Sequence, residues 1–288
     1  MKTGRPSRTA LATAHARAFH QISGEPRVFT DPLALRILSM KPEDSLDLDT
    51  ATLDRPGGDE PRQRERRYLL AARSRFAEDT VAAAAAAGTR QVVILGAGLD
   101  TFAYRNPFPE LRVFEVDHPD TQDWKRELLE QSGIAVPDTL TFVPVDFETS
   151  TLAAGLAAAG FVRDEPAVFV WLGVVMYLSR ESIVETLRYA AGQTPPVQVV
   201  ADYLRPGATE AERVAMAERA ARIAAIGEPI LSLLEPGEMV ELLHSLGFDQ
   251  VEEKSGGELI DDYLDTPMPE LTLTVRSSRV LRATRSAD

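Results

Sequence analysis

The sequence predicts a doubly wound α/β fold on a mostly parallel, seven-stranded sheet, and three observations carry that prediction. After Gly88, short β-branched runs alternate with helical segments of crossover length. Several of these runs are apolar at nearly every position, as strands are when helices cover both faces of a sheet. The first run ends in Gly96-Ala97-Gly98, a tight turn of the kind that lies at the ligand-binding edge of such sheets.

In chain order, residues 1 to 40 read as helical pieces around a turn at Thr30-Asp31-Pro32. Residues 41 to 61 are acidic, Pro- and Gly-bearing and weakly periodic, and read as a mobile loop. From Pro61 to Ala87 the pattern is helical, with Gly88 placed as a C-cap. Residues 1–88 are therefore expected to form an N-terminal helical cap with its loop, and 89–288 the ligand-binding domain. Five strands follow, QVVIL (91–95), RVFEV (112–116), LTFVPV (140–145), AVFVWL (167–172) and VQVVAD (197–202), joined by right-handed crossovers. The charged, alanine-rich stretch 207–226 reads as a helix inserted after the fifth strand. With its flanks this insert spans about 204–236, and it is placed to sit as a lid over the strand ends. A helix between Pro236 and Leu246 is closed by Gly247, and FDQVEEKSG and SSRVLRATR supply the last two strands.

Composition narrows the function. With 288 residues, 44% hydrophobic and 26% charged, the chain reads as one globular core with additions. Its 31 basic and 44 acidic residues give a net charge of −13, which repels phosphate backbones and anionic lipid, so neither nucleic acid nor a membrane is an expected partner. The basic run Arg62, Arg64, Arg66, Arg67 is interrupted by Glu65 and reads as a solvated helix face. The absence of cysteine excludes disulfides, thiolate metal sites and a cysteine nucleophile. The first twenty residues lack the apolar segment of a secretion signal. The longest apolar run, 167–178, is shorter than the roughly 20 residues that span a bilayer, so a soluble, cytoplasmic protein is expected. Histidines at 15, 20, 118 and 244 lack metal-ligand spacing, and no metal is expected. Oligomeric state is not legible.

The glycine turn raises the question of what it holds. Gly96 and Gly98 let backbone N–H groups approach a ligand where a side chain would clash. A dinucleotide fingerprint would need a third glycine where the chain has Thr101, and no phosphate-loop sequence ending in Gly-Lys-Ser/Thr occurs. Asp117 closes the second strand 21 positions after Gly96, where a carboxylate accepts both hydroxyl protons of a ribose. Glu115 points the same way by the period of two, so either acid fits that role, with Asp117 preferred as nearer the strand end. Asp146 follows the third strand, within reach of an adenine amine. A phosphate-free nucleoside suits these groups, and S-adenosylmethionine is one whose positive sulfonium also suits an acidic cleft.

ARSRF (72–76), QVVILGAGLDTFAYR (91–105), VFEVDHP (113–119), PVDF (144–147) and WLGVVMYLSRESI (171–183) together resemble the motif series of the leucine carboxyl methyltransferase family, which includes bacterial S-adenosylmethionine-dependent enzymes and a polyketide carboxyl methyltransferase of tetracenomycin synthesis. The resemblance runs from about Ala10 to the C-terminus and implies a Rossmann-like class I methyltransferase. Carried over, it implies that Arg73 holds the cofactor carboxylate by a bidentate contact, with Arg75 as fallback. It implies that Gly96, Ala97 and Gly98 form the cofactor loop, that Asp117 is the ribose acid, and that Asp146 with Phe147 flanks the adenine. Arg17 is the nearest equivalent of a basic residue that approaches the cofactor carboxylate in some relatives, although a solvated helix arginine is the simpler reading. Where some members carry a glutamate for the cofactor ammonium, this chain has Leu172 before Gly173, which leaves backbone carbonyls around Gly96 or Leu172 to accept those protons.

A carboxylate acceptor is already ionised near neutral pH and needs no general base, so positioning in line with the leaving sulfur is the main demand. Tyr177, Tyr203 and Arg205, near strand ends, are candidates for orienting the acceptor. The expected function is O-methylation of a carboxylate on a small metabolite such as a polyketide or peptide product. The alternatives are methylation of a protein C-terminus, a non-catalytic cofactor-binding regulator, and a nicotinamide-dependent oxidoreductase, the last weakened by Thr101.

Overall fold

The computed structural model describes residues 7–23, 26–40, 61–146, 150–225, 227–265, 267–268 and 271–287. The stretch 41–61, expected as a mobile loop, lies outside the described residues apart from Pro61.

The first helix, α1 (Arg8–Ile22), starts where the Ser7 hydroxyl accepts from the Ala10 amide, a side-chain N-cap. A turn at 32–35 and a short 3₁₀ segment, Arg36–Leu38, follow. The long helix α2 (Pro61–Ala86) begins on proline, whose missing N–H costs nothing in a first turn, and ends before Gly88 at φ 103°. The alternating region is β1 (Gln91–Leu95), β2 (Arg112–Asp117), α3 (Pro119–Gln131), β3 (Leu140–Pro144), α4 (Leu152–Ala158), β4 (Ala167–Trp171), α5 (Arg180–Ala191) and β5 (Val197–Leu204). The insert helix α6 (Glu210–Ala225) precedes α7 (Glu238–Ser245), β6 (Gln250–Ser255), α8 (Gly256–Asp261), α9 (Leu273–Ser277) and β7 (Ser278–Arg285).

The sheet order is β3-β2-β1-β4-β5-β7-β6. β1 to β5 pair in parallel, whereas β7 runs antiparallel to both β5 and β6. The seven expected strands are thus all present. The two short helices α8 and α9 had no clear sequence signal, being only six and five residues long.

Alternation along the strands divides the core into two layers. Val93 and Leu95 pack with α4, α5 and α7 residues such as Leu156, Leu187 and Leu243, while Val92 and Ile94 pack with α2 and α8 residues such as Leu69, Ala72 and Leu259. β1 is buried at all five positions, which is why it reads as a continuous apolar run. The basic run in α2 is not the solvated face expected of it: Glu65 and Arg67 are buried, because α2 packs between α1 and the sheet.

Candidate functional site

The order β3-β2-β1-β4-β5 reverses chain direction of travel between β1 and β4, and a crevice opens beyond the strand ends at such a switch point. A cavity of about 580 Å³ lies there. Its walls come from the tips of β1, β2, β4 and β5, from α1 and α2, and from the insert after β5.

The glycine turn packs closely against its own neighbours. Gly96 and Gly98 take φ of 66° and 48°, left-handed values that side chains disfavour. A Cβ on Gly96 would lie 2.3 Å from Val174 Cγ2, and one on Gly98 would lie 3.1 Å from Ala10 Cβ. The amides are engaged internally, contrary to the expectation that they face a ligand. Gly96 N and Ala97 N donate to Val116 O at 2.8 and 3.2 Å, and Gly98 N donates to Asp117 Oδ2 at 2.6 Å. The turn crosses the tip of β2, whose carbonyl and carboxylate meet these donors first.

Asp117 lines the cavity and also accepts from the His118 amide at 2.7 Å. Burial raises its carboxyl above the usual aspartate range, and the Gly98 and His118 amides oppose that rise. Glu115 shares its face but lies one step deeper, fully buried, with Lys125 Nζ at 2.7 Å and the Tyr104 hydroxyl donating at 3.3 Å. Its role is that of a buried ion pair, since among the β2 residues Val116 and Asp117 line the cavity and Glu115 does not. Asp146 lines the cavity beyond β3, and Phe147 lies outside the described residues.

Arg73 lines the cavity from α2, and its Nη1 donates to Asp202 Oδ2 at 2.5 Å. Leu172 lies close by on the wall and packs on the α2 side of the sheet. Arg75, two residues on, is directed elsewhere: it pairs with Asp79 at 2.9 Å and lies over the Tyr263 ring. Arg17 is buried rather than solvated, because α1 lies across the glycine turn. It reaches Asp31 at 3.1 Å and Asp100 at 3.6 Å, and donates to the Leu99 carbonyl. Thr101, the residue that breaks the dinucleotide pattern, donates to the same Asp31 at 2.7 Å.

Of the three acceptor-orienting candidates, Tyr177 lines the cavity. Burial raises its phenol above the ordinary tyrosine value, and the nearby Glu228 carboxylate adds to the rise. Tyr203 and Arg205 do not line the cavity. Tyr203 points into the opposite core layer and donates to Glu253, since adjacent strand residues face opposite ways and Asp202 takes the cavity side. Arg205 instead fixes the start of the insert, donating to Arg276 O at 3.1 Å and Pro206 O at 2.8 Å.

Several cavity residues went unnoticed in the sequence. Asp202 is the clearest, an acid closing the apolar strand VQVVAD just as Asp117 closes RVFEVD. Arg66 of α2 and Arg219 of α6 also line the wall, as does Glu228, whose carboxylate accepts from the Arg8 and Thr9 amides at 2.9 and 3.3 Å and so ties the insert to the start of α1. Among the described residues no cluster of three or more histidines and acids is placed to hold a metal, and no helix is long and apolar enough to cross a membrane.

A sheet in this order, with an antiparallel seventh strand and a cavity at the switch point, defines the Rossmann-like class I methyltransferases. A crystal structure from Thermobifida fusca YX, provisionally named a methyltransferase, shares the fold at a TM-score of 0.61 and 14% identity over 99% of this chain and 97% of that one. A duf574 family protein from Streptomyces avermitilis MA-4680 does so at 0.53 and 17%, over 94% and 97%. The leucine carboxyl methyltransferase model matches residues 10–191, and the chain belongs to that family. YktD of Bacillus subtilis (strain 168), provisionally named an S-adenosyl-L-methionine-dependent methyltransferase, is 30% identical over 283 residues, covering 91% of this chain and 92% of YktD. A relative in Mycobacterium ulcerans (strain Agy99) with the same kind of name is 37% identical over 177 residues, 59% of this chain and 56% of its own length. The protein is an S-adenosylmethionine-dependent methyltransferase, which sets aside the regulator and oxidoreductase readings.

Proposed function

We propose that this enzyme methylates a carboxylate of a small, largely apolar metabolite. The observation that carries the reading is the chemistry of the cavity wall beneath the insert. Arg66 and Arg219 bring positive charge there, and Tyr177 a hydroxyl that burial keeps protonated, beside apolar Leu69, Ile223 and Ile230. Among the described residues, the cavity lining includes no lysine, and its histidine, His118, sits at the β2 tip with Nδ1 accepting from Asp120 N. A phenol or alcohol would need a base there, and the acid on that wall, Glu228, is taken up by the Arg8 and Thr9 amides, whereas a carboxylate arrives ionised and asks only for orientation. The family's description, leucine carboxyl methyltransferase, supports the same acceptor chemistry.

The cavity fits the cofactor in room and in charge: a volume of about 580 Å³, an acid at the β2 tip, and a cation on α2. When bound, S-adenosylmethionine supplies an electrophilic methyl group on a sulfonium. Asp117 accepts from the ribose hydroxyls, using the lone pairs that Gly98 and His118 leave. Asp146 flanks the adenine, and Arg73 holds the amino-acid carboxylate through the part of its guanidinium not given to Asp202. Leu172 and the turn Gly96-Ala97-Gly98 shape the walls between. The described parts of the N-terminal region, 7–23, 26–40 and 61–88, act as a cap, and the described residues of the insert at about 204–236 close over the cavity and help to exclude water. Tyr177 donates to the acceptor carboxylate.

The test is a mass-resolved screen of carboxylic and phenolic metabolites with methyl-labelled cofactor. Gain of one base-labile methyl on carboxylic acceptors is expected. Label confined to a protein fraction, or to phenols alone, overturns the acceptor class.

A further inference from the structure

We propose that Asp202 is the acid that receives the ammonium of the cofactor's amino-acid end, forming with Arg73 a cradle for a zwitterion; this rests on the reading that the cavity takes S-adenosylmethionine. Both side chains line the cavity, one from the end of β5 and one from α2. Asp202 Oδ2 accepts from Arg73 Nη1 at 2.5 Å, and Oδ1 accepts from Gly173 N at 2.5 Å. An ionised carboxylate has about four acceptor positions, and these two bonds leave room for an ammonium.

Two further features point the same way. Gly173 sits at φ 76°, and a Cβ there would come within 3.2 Å of Arg73 Nη2, so a side chain at this tip would press on the cation. The other acids on the wall are placed differently. Asp117 serves the β2 tip, Glu228 the start of α1, Asp100 lies against Arg17 and the Phe102 amide, and Asp146 lies beyond β3, on the far side of β2 from Arg73.

An amino acid carries its ammonium one carbon from its carboxylate. A ligand whose carboxylate meets Arg73 therefore brings its ammonium close to the same guanidinium, where it would be repelled without an adjacent anion. Asp202 is that anion, and the pair presents opposite charges side by side, as the ligand does. Backbone carbonyls near Gly96 or Leu172 need not accept all three protons.

The experiment is calorimetric binding of three thioethers, none with a sulfonium charge, to the intact protein and to Asp202→Asn. S-adenosylhomocysteine carries both ionic groups, its decarboxylated form keeps only the amine, and 5′-methylthioadenosine has neither. Asp202→Asn is expected to weaken the first two by about ten- to a hundred-fold and to leave the third within about two-fold. If the loss disappears with the decarboxylated ligand, Asp202 merely positions Arg73 and the proposal falls. Equal loss for 5′-methylthioadenosine also overturns it, since Asp202 would then shape the whole cavity, as does an unchanged affinity for S-adenosylhomocysteine. Failure of the unaltered protein to bind any of the three would instead refute the underlying cofactor reading.

Discussion

Gly96→Ala tests the geometry of the glycine turn directly. At φ 66° an alanine pays the left-handed penalty of roughly 1–2 kcal/mol. Its Cβ would also stand 2.3 Å from Val174 Cγ2, so that Val174 must be displaced from the α4–α5 core layer against which it packs. Overpacking of this kind costs about 1–3 kcal/mol, giving a total of about 2–5 kcal/mol. For a chain of this size each kcal/mol lowers Tm by about 2 °C, so a fall of about 4–10 °C is expected by calorimetry or circular dichroism. Val174→Ala removes the contacting methyl groups, so the double variant should regain the packing share, with a coupling of about 1–3 kcal/mol, while the backbone penalty remains. An unchanged Tm for Gly96→Ala, or strictly additive effects in the double variant, would refute this account of why the turn needs glycine.

Three other outcomes are expected. Because burial holds the Asp117 carboxyl above the usual aspartate range, it takes up a proton earlier on acidification than an exposed aspartate, and the protonated form accepts fewer hydrogen bonds. Affinity for S-adenosylhomocysteine should therefore fall as pH drops, starting above the ordinary aspartate range; a calorimetric titration series showing tighter binding in acid would contradict this. Tyr203→Phe should lower stability by about 1 kcal/mol through loss of the bond to Glu253 yet leave ligand affinity unchanged, whereas a large affinity loss would return Tyr203 to the site. Asp31→Ala strips the shared partner from buried Arg17 and from Arg105, and a loss of about 3–5 kcal/mol in urea unfolding is expected; a loss under 1 kcal/mol would show that this network does not hold α1 to the glycine turn.

The sheet was legible because its information is local. β-branched apolar runs such as QVVIL and AVFVWL fix strand type and two-sided burial, and Gly88 and Gly247 mark helix ends by their need for positive φ. The acids at strand tips were legible for the same reason, since a charged residue closing an apolar run has to sit at the edge. That rule marks Asp202 as well as Asp117, although the run VQVVAD continues two residues further as strand and hid the tip.

The sequence by itself determined the fold class, the glycine turn at the end of β1, and the placing of Asp117 and Asp146 on the cavity side. Only the tertiary structure decided which arginines face inward, because a helix surface bears no local mark of what crosses it: Arg17 is drawn inward where α1 lies over the glycine turn, and Arg75 is led away by Asp79. It likewise decided between Asp202 and Tyr203, neighbours separated by one step of strand alternation, and brought Arg73 of α2 to an acid 129 residues away. Pairings over such sequence distances follow from how elements pack, and no single segment encodes them.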